Sequence, residues 1–110
     1  MKVPNSDREI VDLRKLTDYC LSHEHPRGKY KARVFQSSLG LTAAHAGELR
    51  EVLLQKVGIQ EFSVTGTDRY GTRYMVDFRY RRGRKEAMLR STWIIKTDED
   101  SPRLTSCFVL

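Results

Sequence analysis

The chain has 110 residues, 39% hydrophobic and 31% charged, with 20 Lys and Arg against 14 Asp and Glu. This composition is ordinary globular and lies well away from the disordered class, and the length reads as a single domain over 1–110. A net charge of +6 and a pI near 9.6 favour an anionic partner, with nucleic acid first and a membrane surface second. A chain of this size buries roughly two-thirds of its unfolded surface, enough for one core without staples. The opening stretch MKVPNSDREI holds no apolar run, and no segment reaches the length of a membrane span. The expectation is a cytoplasmic protein without a membrane partner. Cys20 and Cys107 lack His or Cys companions at ligand spacing, so they read as buried thiols in a reducing compartment.

In chain order, residues 1–9 are polar and expected to be loose. Ser6 with Glu9 fits a capping box, although Ile10 and Val11 equally suit a short strand. Leu13, Leu16 and Cys20 recur at helical spacing, which predicts a helix over 12–21. SHEHPRG ends it, because proline removes a donor and restricts the residue before it. Ala32, Phe35 and Leu39 share a face of a second helix over 29–39, with Gly40 as its stop. Thr42 is placed to cap a third helix, whose inner face is Ala46, Leu49, Val52, Leu53 and Val57 and which ends at Gly58.

The period then changes to two. Phe62 and Val64 alternate in a short strand ending in DRYG. Thr72, Tyr74, Val76, Phe78 and Tyr80 share one side of a second strand, and RRGR makes a turn. Leu89, Ser91, Trp93 and Ile95 share a side of a third. After DEDSP, read as a turn, Leu104, Ser106, Phe108 and Leu110 share a side of the last. Helices followed by strands on short connections predict α+β: two or three N-terminal helices on a three- to four-stranded antiparallel sheet.

The opposite side of these strands carries the first candidate surface. Arg73, Met75, Asp77 and Arg79, then Met88, Arg90, Thr92 and Ile94, then Arg103, Thr105 and Cys107 share one face if the strands are neighbours. Arginines and threonines around a single acid suit phosphate, although arginine is also ordinary on a solvated sheet. The second candidate is HPRGKYKARVF, residues 25–35. His25, Pro26 and Gly28 precede a helix whose free amides and positive dipole end attract phosphate, with Lys29 and Lys31 adding charge. A histidine there suits a general base. The same cations also fit the wet side of an amphipathic helix. RYRRGRK, residues 79–85, places Arg79, Arg81, Arg82, Arg84 and Lys85 on a hairpin suited to gripping an RNA backbone, or merely to solubility.

No cofactor is expected. His23 and His45 have no companions at metal spacing, Trp93 falls on the core side, and Gly66, Gly71 and Gly83 form no nucleotide-binding fingerprint. Paired carboxylates, HExxH and a nucleophile elbow are all missing from the sequence, which leaves most hydrolase classes without support.

KLTDYCLSHEHPRGKYKARVF, GTRYMVDF, RSTWII and PRLTSCFVL together resemble an uncharacterised bacterial family of short proteins. Its pattern is Y-x-L at a helix end, HPxGxxKAxxF, a basic strand with R-x-x-W, and P-R-L-x-T/S near the C-terminus. That family is similar in turn to the barnase–EndoU–RelE-like toxin ribonucleases. The resemblance implies metal-independent RNA cleavage, in which a 2′-hydroxyl attacks the adjacent phosphate. It implies His25 as base or acid, Lys31 and Arg90 as charge stabilisers, and Thr105 as a phosphate-orienting group. Tyr74 is a reserve candidate should its strand face the other way. Lys29, Arg73, Arg79, Arg82 and Arg103 would then bind nucleic acid, and an antitoxin or immunity protein would be the protein partner. A second acid–base residue near the C-terminal strands, usual in that group, is missing. The alternatives are a non-catalytic nucleic-acid-binding module and a protein-interaction partner.

Overall fold

Four strands run as an antiparallel meander in the spatial order β1-β2-β3-β4: β1 (Ser63–Asp68), β2 (Gly71–Arg82), β3 (Lys85–Lys96) and β4 (Arg103–Val109). The computed structural model describes residues 10–58 and 60–110; the expected loose segment 1–9 and its Ser6–Glu9 capping box lie outside them. Period-two patterning turns Tyr74, Val76 and Phe78 of β2 and Leu89, Ser91 and Trp93 of β3 into one core. Tyr74 is thus a core residue, which removes it as a reserve site residue. Ser91 is polar but satisfied: its hydroxyl donates to the Val76 carbonyl at 2.9 Å and accepts from Trp93 Nε1 at 2.9 Å. Burying these groups therefore costs little.

β4 departs from the expected alternation. Thr92 faces Ser106 while Trp93 faces Leu104, so Thr105 is an extra residue bulged out of the ladder. A bulge inverts the facing of everything beyond it. Cys107 accordingly lies opposite Ser91 and is fully buried, whereas Phe108 lies opposite Arg90 on the outer face. Both of those positions reverse the simple period-two reading. Ile94 is also buried, although it sits on the outer face. It pairs with Arg103 there, and Arg103 is bridged by Ile10. β1 is a wholly exposed edge strand with a bulge at Val64–Gly66, and Val64 is 57% exposed rather than alternating inward with Phe62. Phe62 lies just outside the strand and meets the Tyr74 ring edge-on at 5.3 Å.

Three helices cover the inner face. α1 begins as one α-turn, Leu13–Lys15, capped by the Asp12 side chain, and continues as a π-turn, Leu16–Cys20. The change of pitch buries Leu16, Cys20 and Leu21 and leaves Leu13 exposed, contrary to the simple helical reading. α2 (Gly28–Leu39) buries Ala32, Phe35 and Leu39. It ends where Gly40 takes φ 69°, with the Gly40 amide donating to the Gln36 carbonyl and that of Leu41 to Phe35. A 3₁₀ turn, Ala43–His45, leads into α3 (Ala46–Val57), and Thr42 and His45 cap each other's backbone at its start. α2 packs on β3 and β4, and α3 on β2. None of these helices is long and apolar enough to cross a membrane, among the described residues.

The hairpin turn at Gly83 joins β2 to β3, and its Arg82 has an internal role. The guanidinium donates to the Leu39 and Gly40 carbonyls at 3.1 and 3.3 Å and to Glu48 at 2.6 Å, tying the end of α2 and the start of α3 to the sheet. The Arg82 hydrogen bond, followed by that of Tyr80, holds the Glu48 carboxyl below its usual 4.5. A carboxylate depressed in the folded state stabilises above its unfolded pKa, and that stability is lost as pH falls through the folded value. Glu48→Gln should therefore lower the melting temperature at pH 7. It should also flatten the loss of stability between about pH 5 and pH 3 in thermal melts.

Gly28 is fixed by a close approach. A Cβ there would overlap the Tyr19 carbonyl oxygen, so the start of α2 lies directly against α1. Gly28→Ala should cost about 1–3 kcal/mol or more in denaturant melts, because backbone rather than a flexible side chain stands in the way.

Candidate functional site

The start of α2 is capped by a histidine. His25 Nδ1 accepts from the backbone amides of Arg27 at 3.0 Å and Gly28 at 2.9 Å. A ring nitrogen that accepts from two amides carries no proton, so the neutral ring holds its proton on Nε2. His25 therefore presents an N–H donor, and protonating Nδ1 would break the cap. His45 serves the 3₁₀ turn ahead of α3, its Nδ1 accepting from the preceding Thr42 amide at 3.0 Å. Both histidines thus have a structural use that explains their presence apart from any ligand.

The His25 ring stands edge-on to Tyr19, with centroids 4.7 Å apart. Tyr19 comes from the π-turn of α1, and its hydroxyl lies 2.6 Å from Lys31 Nζ of α2. An ammonium only donates, so the tyrosine oxygen accepts here and its own hydrogen points elsewhere. The Lys31 ammonium is also 5.5 Å from the centroid of Phe108 of β4. Lys31 is half-buried, and no described carboxylate forms an ion pair with it. Such a charge is costly to keep out of water without a counter-charge.

Tyr19 and His25 open onto a cleft of about 620 Å³, lined also by Asp12, Arg14, Lys15, Asp18, Arg27 and Thr105. A second hollow of about 210 Å³ shares Asp12, Lys15 and Thr105 and is floored by Ile10, Ile94 and Leu104. Thr105, pushed out by the bulge, hydrogen-bonds the Thr92 hydroxyl at 2.7 Å. Among the described residues, no three His, Cys, Asp or Glu side chains group to hold a metal ion. Cys20 and Cys107 are free, and burial pushes both thiols above their usual 9.0, Cys107 well above. They belong to the core beneath the cleft.

The sequence candidates divide accordingly. His25 and Thr105 line the cleft, and Lys31 stands directly behind Tyr19. Arg90 lies on the outer sheet face beyond Phe108, where it binds Asp77 through two contacts of 2.9 Å. The arginines assigned to nucleic acid each meet an acid: Arg73 with Asp68, Arg79 with Glu86, Arg82 with Glu48 and Arg103 with Glu99. Lys29 instead lies 5.2 Å from the Tyr30 ring centroid. Tyr19 and Phe108 are the residues that sequence reasoning missed, whereas Thr92 was already placed on one face with Thr105. Tyr19 had a signal, since it sits six residues before His25 across a break that folds the chain back on itself. Phe108 had none, because a bulge leaves no mark in hydrophobic periodicity.

A structure titled contact-dependent growth inhibition toxin–immunity protein complex, from Klebsiella pneumoniae 342, contains a chain of the same fold. The two superpose with a TM-score of 0.70 over 92% of this chain and 99% of that one, at 19% identity. No curated protein matches significantly. A family model described as Domain of unknown function (DUF6883) matches residues 2–110, and the chain belongs to that family.

Proposed function

We propose that the protein is a toxin-type ribonuclease that cleaves RNA at the Tyr19–His25–Thr105 cleft without a metal ion. The observation that carries this reading is Lys31: a half-buried ammonium without a described carboxylate partner, bonded to a tyrosine hydroxyl that lines an open cleft. A phosphate is a natural counter-ion for that charge. The fold shared with a chain of a toxin–immunity complex supports a role in the same kind of system, as toxin or as partner.

In the proposed reaction a ribose 2′-oxygen bonds to the adjacent phosphorus while the bond to the 5′-oxygen breaks. The products are a 2′,3′-cyclic phosphate and a 5′-hydroxyl. Lys31 supplies positive charge to the phosphorane, His25 Nε2–H donates to a non-bridging oxygen, and the Thr105 hydroxyl orients the phosphate. The Tyr19 hydrogen, turned away from Lys31, goes to the leaving 5′-oxygen. The proton of the 2′-hydroxyl leaves to water through the open mouth of the cleft, and water returns a proton to the Tyr19 oxygen. His25 acts as a donor in this scheme rather than as a base, since uptake at Nε2 would first require moving its proton to Nδ1. Arg90, held by Asp77, adds charge from the outer face. An immunity or antitoxin protein covering the cleft is the corresponding protein partner.

The second reading, a protein partner without catalysis, draws on the same fold likeness, because the complex pairs two proteins. The internal pairing of the sheet arginines also favours it.

Purified protein incubated with total bacterial RNA in excess EDTA should yield discrete fragments ending in cyclic phosphate. Lys31→Ala and Tyr19→Phe should each lower the rate by about 10²–10³-fold while the fold is retained. His25→Asn keeps an acceptor near the Nδ1 position but loses the Nε2 donor, so it should melt near wild type and cleave poorly. His25→Ala should in addition lose about 1 kcal/mol of stability with the cap. Intact RNA with the wild-type protein, or cleavage that EDTA abolishes, contradicts the reading.

A further inference from the structure

We propose that the solvent face of α2 is a docking strip for single-stranded RNA, with a base stacked on Tyr30 and phosphates on Lys29 and Arg33. Residues 25–47 contain Arg27, Lys29, Lys31 and Arg33 and no Asp or Glu. Lys31 turns to the Tyr19 hydroxyl, which leaves the other three on or near the outer surface of the helix start. Tyr30 is 59% exposed and Val34, one turn on, is 40% exposed, so the wet side of this helix keeps apolar surface in water. The Lys29 ammonium and the Arg33 guanidinium lie 5.2 and 5.7 Å from the Tyr30 ring centroid. An exposed ring flanked by cations, without a neighbouring acid, offers stacking and phosphate contacts together. A nucleic acid has the planar, anionic chemistry that fits both.

The strip is continuous with the cleft, since Arg27 at the start of α2 lines it. A strand whose phosphate occupies the cleft would therefore run on along the helix. Only unpaired bases expose their faces for stacking, so the fitting partner is single-stranded. This inference rests on the cleft being an RNA site, and it adds which form of RNA is taken and where the flanking nucleotides lie.

Fluorescence anisotropy with a 2′-O-methyl RNA of about twelve nucleotides measures binding without cleavage. Tyr30→Ala should weaken binding about tenfold, and Tyr30→Phe should bind like wild type because it keeps the stacking face. Arg33→Gln should weaken binding and reduce its salt dependence. The same sequence as a duplex should bind less well. In cleavage assays Tyr30→Ala should raise KM for long RNA and leave turnover of a dinucleotide unchanged, since a dinucleotide does not reach the strip. Unchanged RNA binding and KM in a folded Tyr30→Ala variant, beside a wild type that cleaves, overturn the strip alone. So does a Tyr30→Ala variant that loses an acidic protein partner but binds RNA normally. Weakened binding in Tyr30→Ala with no cleavage by wild type would uphold the strip and remove the catalytic reading.

Discussion

The site depends on a backbone contact that leaves no room for a side chain. Gly28 lies against the Tyr19 carbonyl, and that approach brings the π-turn of α1 and the first turn of α2 together. His25 stabilises the junction by accepting from the two amides that open α2. The same junction places the Tyr19 ring beside His25 and its hydroxyl on Lys31. Helix capping, close packing and the arrangement of three polar groups are thus one structural event. The capping bonds also fix which ring nitrogen of His25 holds the proton, so local folding decides the chemistry open to that residue.

The outer-face arginines and the cations of α2 differ in how their charge is answered. Arg73, Arg79, Arg82, Arg90 and Arg103 are each answered by a carboxylate within the chain. Most of these pairs are partly exposed and individually contribute little to stability. Arg82 is the exception in role, because it also binds the carbonyls at the end of α2. Lys31 has no such partner among the described residues, and neither do the exposed cations along α2. Among the described residues, cations without a carboxylate partner therefore lie both along the N-terminal half of α2 and at the Arg81–Lys85 hairpin.

The architecture was legible because helical and period-two spacing do not overlap in this chain. Ala32, Phe35 and Leu39, and then Tyr74, Val76 and Phe78, each announced their element and its buried side. β4 was legible only as far as Leu104. The extra residue at Thr105 carries no compositional signal, yet it sends Cys107 inward and Phe108 outward. The position of β1 at the sheet edge likewise explains why Val64 is exposed. At the site, HPRG signalled a helix start, but its meaning changed on folding. The glycine serves close packing, and the histidine serves as a cap as well as a donor. Period-two spacing placed Thr92 and Thr105 on one face, but the contact of the Tyr19 hydroxyl with Lys31 joins two helices, which spacing along the sequence does not encode.

The central claim is that Tyr19, His25 and Thr105 form one phosphate-binding site with Lys31 behind it. NMR titration of the full chain with a non-cleavable 2′-O-methyl dinucleotide tests it most directly. The account predicts that side-chain resonances of Tyr19, His25, Lys31 and Thr105 move together on one binding curve. It also predicts that the neutral form of His25 carries its proton on Nε2 rather than Nδ1. Shifts confined to the Arg81–Lys85 hairpin or to the outer sheet arginines, with the cleft silent, would contradict it.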